Sequence, residues 1–242
     1  MSETIQELNL YHMMPTREER ARVYMGDYLS QAEREDAQQT AIEFSESSRP
    51  MQRTAVMIPV AAHQDASHVR HTLGQYAGQR GADPFTVFLY ANAPDNQEVM
   101  LAAQETMTGI EIAKRTYPNL DIRACASTYE QSTIGRIRAD LWRGVGLLAL
   151  HEGMFVPGSD DVVGINNDID TMFISPHYIA RIQEHYKRRQ KIANRLGIPE
   201  TIMSAVGTRV SHGRLSSHPN VAKVTSWIYN SYFQSPQHGS YE

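Results

Sequence analysis

The residues of this chain best suited to chemistry gather in one short stretch, Asn166-Asn167-Asp168-Ile169-Asp170-Thr171, where two aspartates follow an apolar run. In extended chain, side chains at i and i+2 share one face, so Asp168 and Asp170 are expected to point the same way. Two carboxylates held that close repel each other unless a cation lies between them. Hard oxygen donors suit Mg²⁺ or Mn²⁺, which bind through one or two carboxylates together with substrate phosphates. The competing reading is a solvated Asp-rich turn. Position at the carboxyl end of a strand is what favours the metal.

That position follows from the elements around it. Residues 54–60, 85–90, 120–124 and 162–166 are short apolar runs of the kind found in buried strands. Pro59 is expected to stop the first, and Asn92-Ala93-Pro94-Asp95 to form the turn after the second. Helical spacing covers residues 65–79, 96–117, 134–150 and 178–196. Strands alternating with helices imply βαβ units and a largely parallel sheet, Rossmann-like in organisation. Ligands of such sheets lie beyond the carboxyl ends of the strands. Ahead of the first strand, residues 15–46 read as a helical arm, with Thr16 and Glu19 as a capping box. The arm is expected to pack on the core or on a second subunit, giving a homodimer through this helix. The chain thus divides into an arm and linker (1–50), an α/β half (51–175) and a polar region (176–242).

The order of these parts resembles a GT-A glycosyltransferase of the family 2 type. The strand ending in Pro59, with Ala61-Ala62-His63-Gln64-Asp65 after it, is similar to the opening of that fold. His63 and Gln64 stand where the family has an asparagine. The second strand with Asn92-Ala93-Pro94-Asp95 resembles the family's second strand, with these residues in place of the usual Asp-Asp-Gly-Ser. Ile134-Gly135-Arg136-Ile137-Arg138-Ala139-Asp140 resembles the opening of the helix that reaches the diphosphate, and Asp168-Ile169-Asp170 falls in order as the metal-binding D-x-D.

The resemblance implies a metal-dependent transferase that moves a sugar from a UDP- or GDP-linked donor to an acceptor hydroxyl. Mn²⁺ or Mg²⁺ would be held by Asp168 and Asp170, offsetting charge on the leaving diphosphate. Pro59, Ala61, Ala62, Asp65, Asn92, Asp95 and Asp168 would line the nucleotide-sugar site, Asp65 alternatively capping its helix. Arg136 and Arg138 would contact phosphate at a helix amino end, or else form surface ion pairs. A downstream histidine completes the metal shell in some such enzymes; His218 is the first choice, with His238 and His212 also in the polar region. An inverting reaction needs a general base. No Asp or Glu lies between Glu200 and Glu242, which leaves Glu242 as the candidate. A retaining reaction needs none. Trp227, near Tyr229, Tyr232 and Phe233, could wall an acceptor pocket, whereas Trp142 reads as core.

Other classes fit less well. A nucleotidyltransferase would want a Gly-rich basic loop after the first strand, and Ala61-Ala62-His63-Gln64-Asp65 is not one. A non-catalytic nucleotide-sugar-binding module remains the alternative from a different class. His68 and His71 have a zinc-compatible i, i+3 spacing, but with no further ligand nearby they read as a solvated face. With 23 Lys+Arg against 27 Asp+Glu and no basic block, the chain carries no nucleic-acid footprint. Its single cysteine, Cys125, excludes an intramolecular disulfide framework. No apolar stretch is long enough to span a bilayer and residues 1–10 do not form a signal peptide, so a cytoplasmic location is expected. The core left after the arm is short for such an enzyme. Either the natural chain continues, or a second subunit completes the site.

Overall fold

The computed structural model of the protein describes residues 30–94, 97–129, 133–154 and 162–195. Among them the elements run α1 (Gln31–Ser45), β1 (Thr54–Ala61), α2 (Ala66–Ala77), β2 (Thr86–Pro94), α3 (Gln97–Thr116), β3 (Asp121–Tyr129), α4 (Ile134–His151), β4 (Val163–Asn166) and α5 (Tyr178–Arg195). The four strands form one parallel sheet in the order β3-β2-β1-β4. This is the expected α/β class.

Strand alternation sorts side chains to the two faces. Val56, Ile58 and Val60 of β1, with Val87 and Leu89 of β2, face a core shared with Val69 and Leu73 of α2, Ile110 of α3 and Ile179 of α5. Ala55, Met57, Phe88, Tyr90 and Cys125 face the other way, against Ala41 and Phe44 of α1 and Ile137, Leu141 and Val145 of α4. Covering both faces is why these strands read as unbroken apolar runs rather than alternating ones.

Two boundaries differ from expectation. β1 continues through Pro59 to Ala61, pairing with β2 as far as Asn92. The Met57 carbonyl accepts from Asn167 N–H, so residues 57 and 59 turn their backbone groups toward β4. The β4 ladder has ended by Met57, so the missing proline N–H at 59 forfeits no ladder bond. β2 likewise runs on through Asn92-Ala93-Pro94, which pair with Ser127, Thr128 and Tyr129 of β3 instead of forming a turn.

α1 is built into the core. Ser30 caps it in a reciprocal box, accepting from Glu33 N–H while the Glu33 carboxylate accepts from Ser30 N–H. The Ser30 hydrogen bonds hold the Glu33 carboxyl below the usual range. The expected Thr16–Glu19 box lies outside the described residues. α1 and α4 approach closely because Gly144 has no side chain: a Cβ there would lie 2.3 Å from Thr40 Cγ2. Beside this contact the buried Asp140 meets Arg143, at 3.1 Å, and Arg136, at 3.7 Å. Arg143 reaches on to Glu33 and Arg136 to Asp36 on α1.

A second ionic group closes the lower edge of the sheet. Arg123, 3% exposed, donates to Asp121 Oδ2 (3.2 Å), the Phe44 carbonyl (3.1 Å) and the Arg49 carbonyl (2.6 Å). Asp121 also accepts from the hydroxyls of Thr86 and Ser47. These bonds tie the α1–β1 connection to β2 and β3.

Candidate functional site

The sheet order makes the site's location a matter of topology. From β1 the chain steps outward to β2 and β3, then returns across the other face through α4 to place β4 on the far side of β1. Adjacent strands whose connections leave in opposite directions open a crevice beyond their carboxyl ends. In this fold that crevice lies between the ends of β1 and β4. The residues after β1 are Ala62-His63-Gln64-Asp65, and those after β4 are Asn167-Asp168-Ile169-Asp170.

The D-x-D does not lie in extended chain. Residues 168–171 form a turn, in which Thr171 N–H donates to the Asp168 carbonyl at 3.2 Å and the Thr171 hydroxyl to the same oxygen at 2.7 Å. β4 ends at Asn166 because its ladder with β1 stops there, so the pleat that was expected to align the two carboxylates is absent. Burial still alternates. Ile169 is buried in the core, and Asp168 and Asp170 on either side of it are exposed.

α4 brings a cation to this turn. Thr133 caps the helix by accepting from Arg136 N–H, and one turn further on Arg138 Nη2 lies 2.5 Å from Asp168 Oδ1. The Nε of Arg138 is shielded from solvent and has no hydrogen-bond partner among the described residues. Arg136 points elsewhere, to Asp36 and Asp140 at the α1 contact. Of the two arginines, Arg138 is the one seen paired with Asp168.

The residues at the carboxyl ends of β1 and β2, and those just after β1, are largely occupied in bonding one another. Asp65 does not cap α2 with its side chain; Oδ2 accepts from Ala61 N–H at 2.7 Å. Asn92 is buried, donating through Nδ2 to the Val60 carbonyl and accepting from Ala62 N–H through its own backbone carbonyl, both at 2.8 Å. Pro59 and Ala62 are buried, and the Ala62 carbonyl accepts from the Thr106 hydroxyl. His63 keeps an open valence: its Nε2 pairs with the Gln64 side chain, and its shielded Nδ1 has no partner among the described residues. Asp95, His212, His218, His238, Trp227 and Glu242 lie outside the described residues.

Three features escaped the sequence reading. Trp142 is not core: it is 39% exposed, its indole N–H donates to Asn166 Oδ1, and its ring covers Gly164 of β4. Helix α2 holds the 167–175 segment through a row of polar side chains. Thr72 donates to the Ile169 carbonyl, Gln75 to that of Thr171, and His71 Nε2 to that of Met172. Gln75 Oε1 also accepts from Ile174 N–H. Tyr76, whose phenol burial pushes its pKa well up, accepts from Asn167 Nδ2 as a neutral hydroxyl. Third, Met172 and Phe173 stand 74% and 75% exposed between these fixed points.

The carboxylates suit a cation shared with a ligand better than a closed protein site. Among the described residues no group of three or more His, Cys, Asp or Glu could hold a metal ion. Two exposed carboxylates are nevertheless the usual protein share for Mg²⁺ or Mn²⁺ bound with phosphates. A groove of about 430 Å³, lined by Arg53, Thr54, Asp83, Gln183 and Lys187 among others, lies at the amino ends of β1 and β4, away from the crevice. No described helix is long and apolar enough to cross a membrane. No protein-family description, curated protein or solved structure matches the chain.

Proposed function

We propose that the crevice between β1 and β4 binds a nucleoside-diphosphate sugar with a divalent cation, and that the protein is a glycosyltransferase acting on an acceptor hydroxyl. The observation that supports this most is the contact of Arg138 from α4 with Asp168, in the exposed Asp168-Ile169-Asp170 turn that follows β4 at the switch point. Asp168 and Asp170 would hold Mn²⁺ or Mg²⁺, which when bound offsets charge on the departing diphosphate. Arg138, paired with Asp168 before ligand arrives, would turn to a phosphate oxygen, where its planar donors suit bidentate contact. The amino end of α4 adds a favourable potential for the same anion. With Nε2 accepting from the Gln64 amide, His63 Nδ1 is a shielded donor at the end of β1. In the reaction the acceptor oxygen bonds to the anomeric carbon, the bond from that carbon to the phosphate oxygen breaks, and the acceptor proton passes to a base. Glu242 is the proposed base for an inverting course.

A non-catalytic nucleotide-sugar-binding role is the second reading. It is favoured by Asp65 and Asn92, whose side chains satisfy backbone groups. The decisive experiment measures UDP and GDP binding with and without Mn²⁺, and donor-sugar consumption, in wild type and Asp170→Ala. Metal-dependent binding that Asp170→Ala abolishes, with turnover, supports the transferase. The same binding without turnover supports the second reading. Equal, metal-independent behaviour of both proteins refutes the site.

A further inference from the structure

The geometry points to Thr72 and Gln75 of α2 as positioning residues that set the divalent-cation affinity of Asp168 and Asp170; this rests on the metal site proposed above. The argument begins with what β4 does not supply. A strand would hold successive residues by a ladder to its neighbour, but β4 ends at Asn166 and the carboxylates follow in a turn. Their backbone is held instead by side chains of one helix. His71, Thr72 and Gln75 lie on one face of α2 and Gln79 just beyond its carboxyl end, and they take the carbonyls of residues 172, 169, 171 and 175. Gln75 and Gln79 also accept from Ile174 and Ile179 N–H, so each glutamine amide substitutes for a neighbouring peptide group.

Thr72 is central to this arrangement. It is fully buried, and its hydroxyl reaches the carbonyl of Ile169, the residue between the two aspartates, at 2.5 Å. The Ile169 side chain is itself buried, so backbone and side chain are both fixed there while Asp168 and Asp170 extend outward from it. Gln75 fixes the next carbonyl but one, directly after Asp170. A cation gains most from two carboxylates already held at a fixed separation, because less ordering accompanies binding. Removing the partner of the Ile169 carbonyl loosens the turn without touching either ligand.

The test uses Mn²⁺ itself, its binding followed by the resonance signal of the free ion, with thermal melts of each variant alongside. Thr72→Val keeps the shape and removes the hydroxyl; Thr72→Ser restores it. At a temperature where every variant is folded, Thr72→Val is expected to weaken Mn²⁺ binding about ten-fold or more, whereas Thr72→Ser stays within about two-fold of wild type. Gln75→Met is expected to follow Thr72→Val, and it carries the comparison if Thr72→Val does not fold. Wild-type affinity in both Thr72→Val and Gln75→Met, whatever their melting temperatures, overturns the positioning role while leaving the metal site intact. Absence of Mn²⁺ binding in wild type both alone and with UDP present, or equal binding in Asp170→Ala, overturns the metal site and the positioning role together.

Discussion

Replacing Arg123 by Met removes the charge that joins the α1–β1 connection to the sheet, while keeping much of the side chain's apolar bulk. Its guanidinium has three short partners, Asp121 Oδ2 at 3.2 Å, the Phe44 carbonyl at 3.1 Å and the Arg49 carbonyl at 2.6 Å, with Glu152 at 3.6 Å. Taking one member from a buried ion pair costs about 3–5 kcal/mol, because the other charge stays buried without a counterion. The Phe44 carbonyl, in a fully buried residue, loses its donor as well, about 1 kcal/mol or more. Arg49 is exposed, so water can replace its lost bond. Asp121 keeps the Thr86 and Ser47 hydroxyls, which places the sum near the lower end, about 3–4 kcal/mol. Against a usual domain stability of about 5–15 kcal/mol, that is a large fraction. Urea unfolding followed by circular dichroism measures it directly. The double variant Arg123→Met/Asp121→Asn tests the cause, since it removes the stranded charge while the amide oxygen that replaces the carboxylate still accepts from Thr86. It should be more stable than Arg123→Met alone. A loss under about 1 kcal/mol in the single variant, or a double variant whose loss equals the sum of the singles, would refute the reasoning.

Two further outcomes follow from packing. Gly164→Ala places a Cβ 2.1 Å from Trp142 Cη2 and 2.7 Å from Met57 Cε, so it should cost about 1–3 kcal/mol and shift Trp142 fluorescence, and Trp142→Leu should restore part of the stability. The Cys125 thiol, buried and with its pKa pushed well up by that burial, should not react with a thiol reagent at pH 8 in the folded protein and should react fully in denaturant.

The sheet was legible because a strand covered on both faces has few choices of residue, and each run from 54 onward carries that composition. The ends of the strands were harder. Proline at 59 reads as a stop only if both sides of the strand are paired there, and pairing is a property of the neighbour's length. The turn after β4 was misread for the same reason: the i, i+2 rule presumes a pleat, and nothing local to Asp168 and Asp170 says the ladder ends at Asn166. The start of α1 was written in Ser30 and Glu33, a capping box as plain as the one at Thr16 and Glu19. Thr72, Gln75 and Gln79 were not legible as a set. A polar residue on a helix resembles a solvated one until the segment it holds, nearly a hundred residues later, is known.

The contact of Arg138 with Asp168 looks at first like an objection to the proposed site, since one carboxylate meant for a cation already has a partner. Magnitudes decide otherwise. The two side chains are 39% and 56% exposed, and an ion pair so open to water contributes about 0–1 kcal/mol. Micromolar binding of a ligand corresponds to about 8 kcal/mol, which a pair of this strength cannot prevent. The pair instead makes a prediction whose two halves have opposite signs. In Asp168→Asn the guanidinium loses its competing anion, so metal-free binding of UDP should strengthen, by up to about five-fold at the top of that range. The same substitution removes a hard ligand, so the gain in affinity on adding Mn²⁺ should fall. Arg138→Gln should weaken metal-free binding and leave Mn²⁺ binding by the protein alone unimpaired. If Asp168→Asn weakens metal-free binding, Arg138 does not turn from carboxylate to phosphate, and its contact with Asp168 is a surface ion pair and nothing more.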